Sequence, residues 1–216
     1  MNRRVMNIKC IPIGGTNCYL VNSNEKYYLI DSGPPSHGKL LLKQLEALGV
    51  SDKIKLLILT HGHKDHIGNA AELKRKLNIE ILMHKDDLEL INKEDSELKA
   101  RSVIGHIGLK LLPKGVSDQF ESFEPDMIFD GDLCLREYGF DANLIHVPGH
   151  TNGSVAVLAE DKLFAGDLFM NIFSPSRSLF AMDFSLLDES VERIGKYNVQ
   201  KIFPGHGKYF LLNKPI

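Results

Sequence analysis

The sequence has 216 residues, a length that predicts one domain of ordinary size with room for a sizeable core. It is 43% hydrophobic and 25% charged, and no stretch approaches the ~20 apolar residues of a membrane-spanning helix, which argues against a membrane protein. Lys+Arg 26 against Asp+Glu 28 leaves a net charge of -2 with no long basic run, so neither a nucleic-acid surface nor a membrane surface is expected, and a small-molecule substrate is the expected partner.

The predicted elements open with three short strands between Val5 and Asp31, broken at Gly14-Gly15 and at Asn22-Ser23-Asn24, a β-meander. After the turn Asp31-Ser32-Gly33-Pro34-Pro35, Leu40, Leu41, Leu42, Leu45 and Leu48 recur at helical spacing and stop at Gly49, a good helix breaker. Ile54–Thr60 is a near-continuous apolar run followed directly by the polar loop His61–His66, as a strand covered on both faces would give. A helix at about Asn69–Leu77 leads to a strand at Glu80–Met83. From His84 to Asp126 the first part looks helical, and Pro113, Gly115 and Pro125 then mark an irregular connection, so 84–126 is an insertion or lid candidate. Strands return at Met127–Phe129, Leu133–Glu137, Asn143–Val147, Ser154–Ala159 and Lys162–Ala165, before a helix near Asp183–Lys196 and a strand at Lys201–Phe203. Strands with helices between them in both halves, and no repeat or linker, predict one α/β sandwich domain over 1–216.

Cys10, Cys18 and Cys134 are scattered without a CxxC pair, which speaks against a disulfide framework and for packing roles. The N-terminal residues carry basic side chains but no apolar run of about 7–15 residues and no small-residue cleavage site, and a cytoplasmic protein is expected.

The chemistry concentrates in His61-Gly62-His63-Lys64-Asp65-His66. Histidines at i and i+2 can enter one cavity while Asp65 and His66 turn toward a second point at the start of the next helix. Imidazole and carboxylate without thiolate suit zinc, iron or manganese in an open site rather than a closed structural one. Three later segments each place a ligand type just after an apolar strand: His150 after Pro148-Gly149, Asp167 after Gly166, and His206 after Pro204-Gly205. Each alone reads equally as a turn or cap residue; their co-occurrence with the first cluster is the signal.

The HxHxDH motif followed by a His, an Asp and a last His resembles the metallo-β-lactamase-fold hydrolases. Asn17-Cys18-Tyr19-Leu20-Val21 is similar to the entry strand of glyoxalase II, and the likeness extends through Asp31-Ser32-Gly33 to Phe203-Pro204-Gly205-His206-Gly207. The resemblance implies an αββα four-layer sandwich, two mixed sheets back to back between helices, with metals at one edge. It implies that His61, His63 and His150 hold one divalent ion and Asp65, His66 and His206 a second. Asp167 would bridge both, and Asp31 would orient the loop from behind. Two ions about 3.5–4 Å apart can share a water and lower its pKa. The implied enzyme is a binuclear, most simply zinc-dependent, hydrolase whose nucleophile is the bridging hydroxide, with Asp65, His63 and Asp167 as its catalytic residues.

Among bonds to cut, a thioester is favoured, because a thiolate of pKa near about 8.5 leaves without a general acid. Tyr209 is a candidate acid or a packing tyrosine; lactone or other ester hydrolysis ranks next. The chain ends ten residues after His206, without the helical domain with which glyoxalase II binds glutathione. Phe169, Met170 and Phe173 are candidates both for an apolar pocket beside the metals and for the core, and Arg177 for a substrate carboxylate or for solvent. Secreted β-lactamases place Cys where Asp167 stands, so antibiotic hydrolysis is not expected. The competing reading is an oxidoreductase like the persulfide dioxygenases, in which two His and an Asp hold one iron. His37, His84, His106 and His146 are not assigned to metal.

Overall fold

The computed structural model describes residues 6–23, 25–92, 98–101 and 120–212. The first half runs β1 (Asn7–Ile13), β2 (Thr16–Ser23), β3 (Lys26–Ile30), α1 (Gly38–Ala47), β4 (Ile54–Ile58), a one-turn α2 (Lys64–Ile67), α3 (Ala70–Leu77) and β5 (Glu80–His84). A 3-10 helix over Lys85–Ile91, β6 (Lys99–Ala100) and β7 (Met127–Phe129) follow. The second half holds β8 (Leu133–Cys134), β9 (Asn143–His146), β10 (Val155–Ala159), β11 (Lys162–Asn171), β12 (Ser176–Arg177) and β13 (Phe180–Ala181). It closes with α4 (Phe184–Ile194), β14 (Lys201–Gly207) and β15 (Phe210–Leu211).

The strands form two mixed sheets, ordered β1-β2-β3-β4-β5-β7 and β15-β14-β11-β10-β9-β8, and β13 pairs with β6 apart from them. β3, β4, β5 and β7 run parallel while β1, β2 and β3 form the expected meander. The apolar runs are continuous because each sheet is covered twice. In β4 and the residue that follows it, Leu57 and Leu59 enter a core with Leu41 and Leu45 of α1 and Leu73 of α3, while Leu56 and Ile58 enter a second core between the sheets with Tyr28, Phe140 and Phe164. Successive side chains of a strand face opposite ways, so one run feeds both layers. A third core packs Leu163 and Ala165 of β11 against Leu187, Val191 and Ile194 of α4. Helix, sheet, sheet, helix is therefore the order of layers, the α/β sandwich expected from the sequence.

Three elements depart from the sequence expectation. The strand expected at Leu133–Glu137 stops at Cys134 and becomes a 3-10 turn over Leu135–Tyr138. Gly139 at φ 84 reverses the chain, which buries Leu135 and stacks Phe140 on Tyr28 with ring centroids 4.3 Å apart. β11 continues past Ala165 to Asn171, and β14 continues past Phe203 to Gly207, because the two remain paired in parallel with register shifts on either side of Gly166. The insertion or lid candidate falls partly outside the described residues, since 93–97 and 102–119, with His106, are not among them.

One contact between the halves bears on the site. From β2, Tyr19 donates its hydroxyl to the Pro204 carbonyl at 2.6 Å, and Asn17 donates to the carbonyls of Pro204 and Gly207 at 3.0 and 2.7 Å. These bonds hold the end of β14 against the first sheet.

Candidate metal centre

The first-half ligand types all leave the end of β4. His61 comes three residues after the strand, His63 precedes the first turn of α2 in extended conformation, and Asp65 and His66 lie within that turn. The second half supplies His150 from the loop after β9, Asp167 from within β11 and His206 from within β14. The register shifts on either side of Gly166 act as a bulge does, re-aiming the following side chain. Gly166 itself sits at φ 49, and a Cβ there would lie 2.8 Å from Thr60.

Two ligand groups result. His61, His63 and His150 form one, with His150 Nε2 2.9 Å from His63 Nδ1. Asp65, His66 and His206 form the other, with His206 Nε2 3.3 Å from His66 Nε2 and 3.2 Å from Asp65 Oδ2. Asp167 touches both: its Oδ2 lies 3.5 Å from His150 Nε2 and 3.3 Å from His206 Nε2, and its Oδ1 lies 3.4 Å from His66 Nε2.

The outer hydrogen bonds fix which nitrogen each histidine presents. His66 donates Nδ1–H to Asp31 Oδ2 at 2.8 Å, His150 donates Nδ1–H to the Phe180 carbonyl at 2.8 Å, and His206 donates Nδ1–H to the Gly15 carbonyl at 3.0 Å. Thr60 donates its hydroxyl to Asp31 Oδ2 at 2.8 Å, which leaves its oxygen to accept from His61 Nδ1–H at 3.1 Å. Each of these rings therefore points Nε2 inward, the nitrogen left to ligate a metal once it carries no proton. Asp31 anchors the arrangement from an unusual backbone, φ 61, and also accepts the Thr60 N–H at 2.8 Å.

These residues pass a test of fit to cations. Among the described residues, His61 Nε2 and Asp167 Oδ1 are buried polar atoms with no hydrogen-bond partner of acceptable geometry. Such orphans are costly unless something else satisfies them, and both face a cluster of nitrogen and carboxylate donors.

Electrostatics separate the groups. Burial, reinforced by neighbouring histidines, pushes His61 well below the usual imidazole range and His63 down to about 3. In His66 the same burial is outweighed by Asp65, Asp167 and Asp31, which raise it to about 10, and in His206 by Asp167 and Asp65, which raise it well above the usual value. At neutral pH the metal-free protein thus holds extra protons on His66 and His206 and none on His61 or His63. An ion entering the Asp65 group must displace protons, so affinity there should rise with pH between 6 and 8 by about tenfold per unit for each proton displaced. Affinity at the other group, where His61 and His63 have no proton to displace, should depend on pH less steeply. Calorimetric zinc titrations in buffers of different ionisation enthalpy count the protons released at each step, and equal release at both steps would contradict the assignment.

Other sequence candidates lie elsewhere or are otherwise engaged. Phe169 is buried in the core beneath α4, its ring 6.4 Å from Phe210, and Met170 is also buried, whereas Phe173 is 86% exposed. Phe169 and Met170 therefore take the core alternative, because β11 continues and carries them into the sheet, while Phe173 is left at the surface. Arg177 pairs with Asp188 at 2.9 Å rather than standing free. Tyr209 packs on Phe203, with Lys201 Nζ 3.8 Å from its ring centroid. His37 bonds the Pro35 carbonyl at 2.9 Å. His84, Asp86 and His146 also gather ligand atoms, but the His84 and His146 rings are stacked at 4.1 Å and 14°, and near-parallel planes leave no point in line with both lone pairs. Thr60, Asp87 and Thr16, which donates to Asp65 Oδ2 at 3.3 Å, support the centre without having been singled out in the sequence; only Thr60 had a signal, as the hydroxyl ending an apolar run.

Comparison with known proteins agrees with this geometry. Residues 11–206 match the family model of the metallo-beta-lactamase superfamily. A hydroxyacylglutathione hydrolase, GloC, of Haemophilus influenzae is 30% identical over 76% of this chain and 72% of its own. A probable metallo-hydrolase of Methanocaldococcus jannaschii is 29% identical over 89% of this chain and 88% of its own. Among solved structures, the BLEG-1 B3 metallo-beta-lactamase superposes with a TM-score of 0.71 at 24% identity, covering 95% of this chain and 94% of that one, a likeness of fold.

Proposed function

Since the chain belongs to the metallo-β-lactamase superfamily, we propose that it is a binuclear metal-dependent hydrolase of a thioester or a related ester. His61, His63 and His150 would hold one divalent ion, Asp65, His66 and His206 the other, and Asp167 both. When bound, such a pair supplies a hydroxide nucleophile at neutral pH and an electrophilic face for a carbonyl oxygen. The observation that carries this reading is the Asp167 carboxylate, within 3.5 Å of nitrogens from both groups.

The chain's own groups divide the remaining work. Asp167 is 7% exposed and Asp65 44%, so Asp167 sits inside the ligand shell while Asp65 meets solvent and substrate. Asp65, whose Oδ2 faces His206 and accepts from Thr16, is the carboxylate that would take a proton from an attacking water. His63 stands just before that residue's helical turn, with its Nδ1 2.9 Å from His150 Nε2. Tyr209, the acid considered for the leaving group, packs its ring against Phe203 and Lys201. A thiolate needs no such acid, and the similarity to a hydroxyacylglutathione hydrolase supports the same substrate class.

The test pairs elemental analysis with matched substrates. Protein purified without added metal should carry close to two equivalents of zinc or manganese per chain. It should hydrolyse a thioester with a kcat/KM at least about 100-fold above that for the oxygen ester of the same acyl group. One equivalent of iron, with oxygen uptake on a persulfide, would overturn the hydrolase in favour of an oxidoreductase.

A further inference from the structure

A buried carboxylate that belongs to neither ligand group stands behind the three-histidine half. Asp87 lies in the 3-10 helix Lys85–Ile91 and is 0% exposed. Its Oδ2 accepts the Gly62 N–H at 2.7 Å and the Thr151 hydroxyl at 2.6 Å, and its Oδ1 accepts the Gly153 N–H at 2.6 Å. Gly62 is the residue between His61 and His63, and Thr151 is the residue after His150. One carboxylate thus ties together two loops that come from different sheets and carry all three nitrogens of one group.

The approach is close because both loops have glycine at the contact. A Cβ on Gly153 would lie 2.8 Å from Asp87 Cγ, and one on Gly62 would lie 2.7 Å from the Leu90 Cβ of the same 3-10 helix. Ordinary packing does not call for a charge here, and burying one without strong donors is expensive. The three side chains on this side are all imidazoles, which bring no negative charge to a bound ion, so apart from the shared Asp167 no carboxylate among them offsets the charge of an ion. Asp31 plays a matching part, reaching His66 of the other group directly and His61 of this one only through the Thr60 hydroxyl.

We infer that Asp87 is a positioning residue for the His61–His63–His150 site, holding its two loops at binding distance and supplying the negative charge that this trio lacks. The inference rests on the reading that these histidines bind an ion. Replacing Asp87 by Asn keeps the volume, removes the charge and turns one acceptor into a donor that faces an N–H or hydroxyl donor.

The experiment is a zinc titration of the metal-free full chain followed by histidine-ring NMR, which reports each imidazole separately, with chelator competition for affinities and thermal melts of the metal-free forms. In Asp87→Asn, zinc affinity read at His61, His63 and His150 should fall about 10–100-fold, while that read at His66 and His206 stays within about threefold. Thr151→Val, which removes one donor and keeps the carboxylate, should shift the same three histidines by a smaller factor and serves if Asp87→Asn does not fold. Equal weakening at all five histidines, or a lowered melting temperature with both affinities unchanged, would overturn the inference and leave Asp87 a packing residue. If the wild type shows no zinc response at His61, His63 and His150, the metal reading itself fails and the inference with it.

Discussion

Asp167→Asn should empty both halves of the centre together and lower kcat/KM by about 1,000-fold or more, because the nucleophile and the electrophilic face are lost at once. The carboxylate reaches His150 through Oδ2 at 3.5 Å, His206 through the same atom at 3.3 Å and His66 through Oδ1 at 3.4 Å. An amide of the same shape brings no charge and offers N–H donors toward inward-facing imidazole nitrogens. The charge matters for a second reason. Burial alone would raise this carboxyl, yet His206 and His66 hold it well below the usual carboxylate range, so at neutral pH it is ionised and ready to receive cations. Elemental analysis of the variant, beside a melt showing that it folds, decides the matter. Loss of one equivalent with the other retained would mean that Asp167 serves one site only.

Gly205→Ala should produce a loss of comparable kind, about 100-fold or more in metal affinity, through a single methyl group. A Cβ on Gly205 would overlap Asp167 Oδ1 and lie 2.6 Å from His66 Cε1, with the Gly166 carbonyl 3.2 Å away. The Gly205 backbone is not in the left-handed region, so alanine brings no backbone strain and the effect is confined to the ligand shell. His66 is held by Asp31, so the group that must shift is the Asp167 carboxylate, which faces both ligand groups. Metal content and the melting temperature of the metal-free protein separate the outcomes. A variant that binds two ions normally would show that the shell is looser than the geometry states.

The candidate ligands were legible in the sequence and much of what surrounds them was not, for a physical reason. His61, His63, Asp65 and His66 stand within six residues, and the backbone of a strand end and one helical turn fixes their directions locally. Gly166 and Gly205 were visible as small residues beside ligands, although what they make room for was not. Asp87 gave no sign, because its meaning lies in donors 25, 64 and 66 residues away. The α/β sandwich followed from paired apolar runs, whereas the turn at Leu135–Tyr138 depended on stacking between Phe140 and Tyr28, residues from opposite sheets. Phe169 misled for the same reason: an aromatic residue two positions past a ligand can face a cavity or a core, and only the continuation of β11 beside β14 decides which.

The Asn17 and Tyr19 bonds to Pro204 span the same seam that the ligands span. Ions held between His63 and His150, and between His66 and His206, would act as rivets across that seam, so occupancy becomes a contribution to folding as well as to turnover. At a free metal concentration 100 times its dissociation constant, each independent site would add about 2.7 kcal/mol. Metal supply would then govern how long the chain resists unfolding and proteolysis, and starvation would lower the amount of enzyme in addition to its rate.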